Sequence, residues 1–337
     1  MFKKESRYIT RGANEKLDLR LQLIIWSMID NVKLFMPRCR DMPDIVGYLD
    51  SGVEQNDITT GETRLFGKVG NVRVIQSVGG YSIQGSLPKF LNGNNIVTLN
   101  RHTIKEALEK LSDTLHLDMN ISKVTGLEFG DTFVMSKQPS AYINLLGNMP
   151  RLERRLGKGD TLYYIGKGRV HPREYYFYDK KKEVLDKGGT LPNGYESLNL
   201  LRYEMRLNNR LPKTFRVVEV SGAMLYDGSF LHDVSDMWVD GYKSITKLSG
   251  MNDECLKGIK SPKDAVNLLL AKLIGERGGD TITDYLNTLK SAKVFSDPKQ
   301  YTRVKAKLDD VSSQKISPDS KDVGELSDSI LNSTAFL

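Results

Sequence analysis

Acidic, basic and phenolic side chains recur at alternate positions between residues 161 and 207, and alternate positions of a strand share one face. In NLLRYEMRL, residues 199–207, Leu201, Tyr203, Met205 and Leu207 fall on one side, with Arg202, Glu204 and Arg206 on the other. An acid thus stands between two guanidinium groups, a pattern suited to handling a phosphate. A second acid, Glu128, lies in ISKVTGLEFGDTFVM, residues 121–135, opposite in parity to Leu127, Phe129, Asp131 and Phe133. Both acids face away from an apolar row and could reach one groove. Two carboxylates with a water or an imidazole make a hard-oxygen site for Mg²⁺ or Mn²⁺. The competing reading is a pair of surface glutamates bonded to Arg202, Arg206 or Lys123. On residue types alone that reading outweighs the metal.

The run before this strand carries Tyr176, Tyr178 and Lys180 at one parity. Lys180 could neutralise a phosphate, or simply end a strand in solvent. Tyr163, Tyr164, Tyr175, Tyr176, Phe177 and Tyr178 could stack nucleobases beside the basic residues. Strand faces alternate, however, so about half of them must fill a core. Further on, Val234, Trp238 and Tyr242 are spaced by four in a helix predicted near residues 229–247. Tyr242 is therefore a core residue beside Trp238, or a nucleophile whose hydroxyl emerges at the sheet edge. Tyr226, in a loop before that helix, and Tyr195, in the turn before YEMRL, are the other phenols to weigh.

Several chemistries find no support. No Gly-rich phosphate loop precedes a Lys-Ser/Thr pair, and no Gly-x-Ser-x-Gly elbow occurs. His102, His116, His171 and His232 are scattered, and Cys39 and Cys255 form no zinc spacing or disulfide framework. Cysteine usage points to a reducing cytoplasm. LQLIIWSM, residues 21–28, is too short to span a bilayer and lacks a signal-peptide cleavage pattern. With 39% hydrophobic and 27% charged residues the chain reads as globular, and its net charge of +7 favours an anionic partner.

The elements that must position these residues are short strands and amphipathic helices. Residues 1–20 read as a basic leader. A first strand runs from Ile29 to Pro37, and Asp44 can cap a short helix ending near Gly52. Residues 62–100 read as a meander with turns at Gly70-Asn71 and Gly79-Gly80. Ile104, Leu108, Leu111 and Leu115 mark a helix entered through Asn100. RLERRLGKGD, residues 151–160, reads as a helix or irregular segment, and Phe215–Val220 as a strand end. Residues 261–292 contain one or two helices, and the Ser/Asp/Lys-rich end reads as disordered.

MIDNVKLFMP, LFGKVGNVRVIQ…LPKFLNGNNIVTL, ISKVTGLEF-GDTF, YDKKKE, NLLRYEMRL and LYDGSFLHDVSDMWVDGYKSITK occur in that order. In this the chain resembles the phage and plasmid replication proteins of the filamentous-phage gene II/gene X type, over about two thirds of its length. The resemblance implies a rolling-circle replication initiator, distantly similar to relaxase-like nickases. Such an enzyme cuts one strand of an origin with a tyrosine, stays joined to the 5′-phosphate and leaves a 3′-OH primer. By this resemblance Glu128 and Glu204 become metal-ligand candidates for Mg²⁺ or Mn²⁺, Lys180 a phosphate clamp, and His171 a third ligand. Tyr242 is the favoured nucleophile because it follows the acid-bearing strands on a helix, with Tyr226 and Tyr195 as alternatives. Tyr178, Arg202 and Arg206 are assigned to DNA binding. The His-hydrophobic-His pair of many relaxase-like nickases is absent.

The resulting expectation is an α+β fold of antiparallel sheets flanked by amphipathic helices. It has two similar halves, 28–120 and a catalytic 121–250, between a leader or extension (1–27) and a helical, partly disordered tail (251–337). The expected partners are origin DNA, single-stranded at the cut, and a host helicase and polymerase, in the cytoplasm and without a membrane. The alternative is a DNA-binding replication regulator of the same fold that does not cut. A single-stranded RNA binder is a third reading, resting only on charge and aromatics.

Overall fold

Alternating apolar residues build the first strand. In β1 (Ile29–Pro37), Val32, Leu34 and Met36 are buried on alternate positions, and Pro37 is the last strand residue. A computed structural model describes residues 28–39, 43–166, 173–208, 210–248, 259–277, 280–313 and 321–334. It is α+β, and its contacts divide the chain into two units. The first comprises Met1–Thr125, Val217–Ser235 and Leu331–Leu337, and the second Gly126–Arg216 and Asp236–Ile330.

The first unit holds β1, β2 (Ser51–Asn56), β3 (Thr63–Val69), β4 (Val72–Ser77) and β5 (Gly80–Ser86), all antiparallel in the order β2-β3-β4-β5-β1. The turn between β3 and β4 needs a left-handed residue, which Gly70 supplies at φ +57°. The meander thus forms as its pattern predicts. β2 was not readable, because all six of its residues are exposed and carry no alternation. The Asp44 carboxylate does accept the Val46 N–H, but the helix is only the 3₁₀ turn Val46–Tyr48. Ser86 caps α1 (Leu87–Asn92) and bonds buried Asp30 at 2.5 Å. Asn100 and Thr103 form a reciprocal capping box at the start of α2 (Arg101–Leu115), which buries Ile104, Leu108, Leu111 and Leu115.

The second unit takes β6 (Lys123–Met135) from Gly126 onward, with β7 (Leu152–Leu156), β8 (Leu162–Gly166), β9 (Arg173–Asp179) and β10 (Asn199–Asn208). These run antiparallel in the order β6-β10-β9-β8-β7. Helices α3 (Pro139–Ile143), α4 (Lys180–Asp186), α5 (Leu211–Phe215) and α6 (Gly228–Ser244) follow in the chain. Four more, α7 (Pro262–Arg277), α8 (Asp280–Ser291), α9 (Pro298–Ser313) and α10 (Lys321–Ser333), make up the described tail.

Three sequence expectations are corrected. RLERRLGKGD is not helical: Leu152–Leu156 pairs with β8, and a 3₁₀ turn follows. Phe215–Val220 is not a strand, since Phe215 ends α5 and Ser221 makes only an isolated bridge to Lys123. The Ser/Asp-rich end is ordered from Lys321, because α10 buries Leu326 and Ile330 and its Glu325 carboxylate accepts the Tyr142 hydroxyl at 2.6 Å. Sparse apolar spacing in a polar text had hidden that helix.

The core of the second unit is aromatic. The Tyr203 ring stacks on Phe177 at 4.3 Å and on Trp238 at 4.6 Å, and its hydroxyl donates to the Trp238 carbonyl at 2.9 Å. Trp238 and Tyr142 are fully buried. Burial of such rings is worth several kcal/mol each, on the order of 3–5 when truncated to alanine.

Candidate functional site

Register assembles the site. Arg206 of β10 lies opposite Glu128 of β6 and Glu174 of β9, while Glu204 lies opposite Gly130 and Tyr176, and Arg202 opposite Thr132 and Tyr178. Directly opposed residues of an antiparallel pair share a face. Glu128, Glu204, Arg202, Arg206, Tyr176 and Tyr178 therefore occupy one face of the second unit's sheet. Gly130 lets the strands meet there: a Cβ on it would strike the Tyr203 carbonyl and lie 2.7 Å from the Glu204 Cα.

The two carboxylates converge on one nitrogen. Arg206 Nε donates to Glu204 Oε1 at 2.7 Å and lies 3.3 Å from Glu128 Oε1. The Arg206 guanidinium also lies over the Tyr176 ring, 4.1 Å from its centroid. Burial would lower the Arg206 pKa, but the carboxylates of Glu204 and Glu128 override it and raise the value. The other oxygen, Glu204 Oε2, accepts the Tyr178 hydroxyl at 3.0 Å and lies 3.9 Å from Arg202 Nε. Arg202 is fully buried and donates to Thr132 Oγ1 at 3.2 Å. It holds Glu204 in place and presents no surface to DNA, contrary to its sequence assignment.

Tyr176 donates to Glu174 at 2.8 Å, and burial pushes its phenol well up. Tyr163 packs edge-on against Tyr176 at 5.2 Å. Tyr163, Tyr176 and Tyr178 are half-buried on this face, while Tyr164, Tyr175 and Phe177 are buried on the other. The half-and-half division expected of the aromatic run is observed.

Lys180 is placed differently from the expectation. The Asp179 carboxylate accepts the Lys182 N–H at 2.9 Å, so β9 stops and α4 begins at Lys180. The Lys180 ammonium is buried, 2.9 Å from Glu183 Oε2 and 5.8 Å from the Tyr178 ring centroid. Burial would raise the Glu183 carboxyl, but the ammonium groups of Lys180 and Lys187 hold it at about 2. Lys180 is thus a buried support beneath Tyr178, not a surface clamp. Sequence reasoning missed Glu183, although its spacing of three from Lys180 was visible.

Tyr242 is not brought to the acids. It lies on α6 against the aromatic face, 6.1 Å from the Tyr203 ring, and its hydroxyl bonds Ser327 at 2.8 Å. Burial pushes its phenol up to about 12. The helical stripe Val234, Trp238 and Tyr242 is a core stripe, all three being buried. Tyr195 is also buried, which raises its phenol, and Tyr226 belongs to the first unit, where it donates to Asn120 at 3.0 Å. His171 lies outside the described residues.

Residues 62–227 match the family model for the N-terminal region of the phage replication-associated protein of gene II type. That segment belongs to the gene II-type replication protein family. No curated protein matches the chain. The match spans Glu128, Tyr178, Lys180, Glu204 and Arg206, and ends before Tyr242. Membership implies replication initiation and a DNA partner. Among the described residues, no helix is long and apolar enough to cross a membrane.

Among the described residues, no group of three or more His, Cys, Asp or Glu side chains could hold a metal. The two carboxylates instead converge on the Arg206 guanidinium. Glu128 and Glu204 are thus bonded to Arg206, as the competing reading of these two acids has it.

Proposed function

We propose that this gene II-type chain initiates rolling-circle replication by nicking one origin strand, with Tyr178 as the nucleophile. The observation that carries the reading is the Tyr178 hydroxyl, 3.0 Å from Glu204 Oε2 on the face where both acids and Arg206 meet. Tyr178 oxygen forms a bond to phosphorus, the bond from phosphorus to the 3′-oxygen breaks, and that oxygen leaves as a 3′-OH after taking up a proton. Glu204 Oε2 orients the phenol and is the first acceptor for its proton. Lys180, buried beside the ring, favours negative charge on the phenolic oxygen as it attacks and as it leaves on rejoining. The half-exposed Arg206 can hold a flanking phosphate, and Tyr163 offers a ring edge for a base. Were Mg²⁺ or Mn²⁺ bound, Glu128 and Glu204 are the carboxylates that would hold it, and it would supply polarisation of the phosphate and stabilisation of the leaving oxyanion.

The test is incubation with supercoiled plasmid bearing the cognate origin and Mg²⁺ or Mn²⁺. Wild type and Tyr242→Phe should yield open circles joined to protein, and Tyr178→Phe should not. A covalent adduct from Tyr178→Phe would overturn the assignment. Tight origin binding by wild type without any nick would leave the non-cutting replication regulator as the function.

A further inference from the structure

A row of side chains crosses the strands beside Tyr178. Cross-strand register sets Arg155 of β7 opposite Tyr163 of β8, Tyr163 opposite Tyr176 of β9, and Tyr176 opposite Glu204 of β10. All four therefore share the face that carries the Tyr178 hydroxyl. Two strand spacings, about 10 Å, separate β9 from β7. The far end of the row is open, with the Arg155 side chain 55% exposed and Tyr163 half-buried. Tyr163 is nevertheless held. Gly157 has β-region backbone at φ −97°, which any residue adopts, so no turn requires a glycine there. A Cβ at that position would strike the Tyr163 ring and lie 3.1 Å from its hydroxyl oxygen. The glycine gives the ring its room, and Tyr176 braces it edge-on from the next strand at 5.2 Å. The hydroxyls of Tyr164, Tyr176 and Tyr178 are bonded to Gly147, Glu174 and Glu204. Among the described residues, nothing bonds the Tyr163 hydroxyl. Beside it, Arg155 meets Glu153 at 2.9 Å in an exposed ion pair, an arrangement worth little in water and open to exchange.

We infer that Gly157, Tyr163 and Arg155 form a nucleotide subsite for the DNA strand being cut. The inference rests on the reading above, in which the reacting phosphate sits at Tyr178, and adds the path the strand takes from there. The strand crosses β9 and β8 toward β7, a neighbouring base packs on the Tyr163 ring, and Arg155 takes a phosphate in place of Glu153. Cross-strand packing accounts for the contact between Tyr163 and Tyr176. It does not account for a glycine that clears one side of the ring, or for an unbonded hydroxyl next to an exposed guanidinium. An aromatic ring beside a cation on a sheet is the chemistry that holds single-stranded nucleic acid, because every base has a π-face and every phosphate suits the guanidinium fork. A base reaches such a ring only after leaving its own stack, so the subsite favours a single strand over a duplex. It tolerates any base, and so grips the strand without reading the origin.

The experiment is fluorescence anisotropy of the full chain with a labelled oligothymidylate and with a duplex of the same length, neither carrying the origin. Wild type is expected to prefer the single strand, and equal affinity overturns the subsite. Tyr163→Ala should weaken single-strand binding at least about fivefold and leave duplex binding within about twofold. Tyr163→Phe, which keeps the ring, should stay within about threefold of wild type, and a loss as large as alanine's overturns the packing of a base on it. A tyrosine that only braced Tyr176 would lower unfolding stability and leave the ratio of the two affinities unchanged, which also overturns the proposal. If Tyr163→Ala loses its cooperative thermal transition, Gly157→Ala decides, since its methyl displaces the ring. Unchanged single-strand affinity in that variant overturns the subsite. Arg155→Gln should lessen the slope of log affinity against log salt by about 0.7 on the single strand, the value of one phosphate contact, and an unchanged slope removes Arg155 from the path. Tyr178→Phe separates the two readings. If it still joins origin DNA while Tyr163→Ala has lost its single-strand preference, the nucleophile assignment falls and the subsite stands. If Tyr178→Phe abolishes the adduct while Tyr163→Ala binds single strands like wild type, only the subsite falls.

Discussion

The two faces of the second unit's sheet use the same residue types to opposite ends. On one face Tyr176 and Tyr178 meet carboxylates and guanidinium groups, with hydroxyls bonded to Glu174 and Glu204. On the other, Tyr203 stacks with Tyr175, Phe177 and Trp238 of α6, and Tyr242 of the same helix packs against it at a tilt. Neighbouring residues of one strand thus differ completely in chemistry. On the first face the Tyr178 hydroxyl donates to the Glu204 carboxylate at 3.0 Å. A phenol sealed among rings, as Tyr203 is, has its pKa driven far above the ordinary value by burial and cannot ionise. Parity along the strand separates phenols bonded to carboxylates from phenols packed among rings.

The sharpest way to break this comparison is to exchange the two roles. Tyr178→Phe should lower covalent adduct formation by at least about a thousandfold, while Tyr242→Phe stays within about threefold of wild type. Gel analysis of origin plasmid after denaturation reads both, and the reverse ranking would erase the distinction between faces. Next in size is Trp238→Ala, which removes the ring on which Tyr203 stacks. A loss of about 3–5 kcal/mol in urea unfolding is expected. A loss under about 1 kcal/mol would mean the aromatic face is not the core of this unit.

Asp131 tests the same face through pH. Burial lifts its carboxyl to about 6, partly opposed by Arg202 and by the Thr132 N–H. Between the unfolded value near 4 and this folded value, the native state binds a proton that the unfolded chain has released. This group therefore adds stability as pH falls through about 6 and removes it as pH rises. Asp131→Asn should flatten that slope by about 1–3 kcal/mol between roughly pH 7 and pH 4. Urea midpoints across that window measure it, and an unchanged slope would place Asp131 in water. The smallest effect is the stability change in Tyr242→Phe, about 0.5–1.5 kcal/mol for the bond to Ser327.

The β-meander, the capped helix α2 and the acid-bearing strands were legible because alternation and capping are local properties. β2 and α10 were not, since one is wholly exposed and the other hides two buried residues in polar text. The site was half legible. Glu128, Glu204 and Arg206 sit together as their strand parities allow, but the sequence could not say that a single arginine would bridge them. Lys180 was misplaced because one capping aspartate, Asp179, turns strand into helix immediately before it. Tyr242 was favoured for following the acids in the chain, a criterion that carries no information about which side of a sheet a helix covers.

By itself, then, the sequence determined the strands whose apolar residues alternate, their two faces and the family of replication proteins to which residues 62–227 belong. Only tertiary structure decided which tyrosine meets Glu204, because that depends on cross-strand register and on the face that α6 buries. Side-chain alternation is written into each strand, but the register between strands and the choice of covered face are settled only when all of them pack.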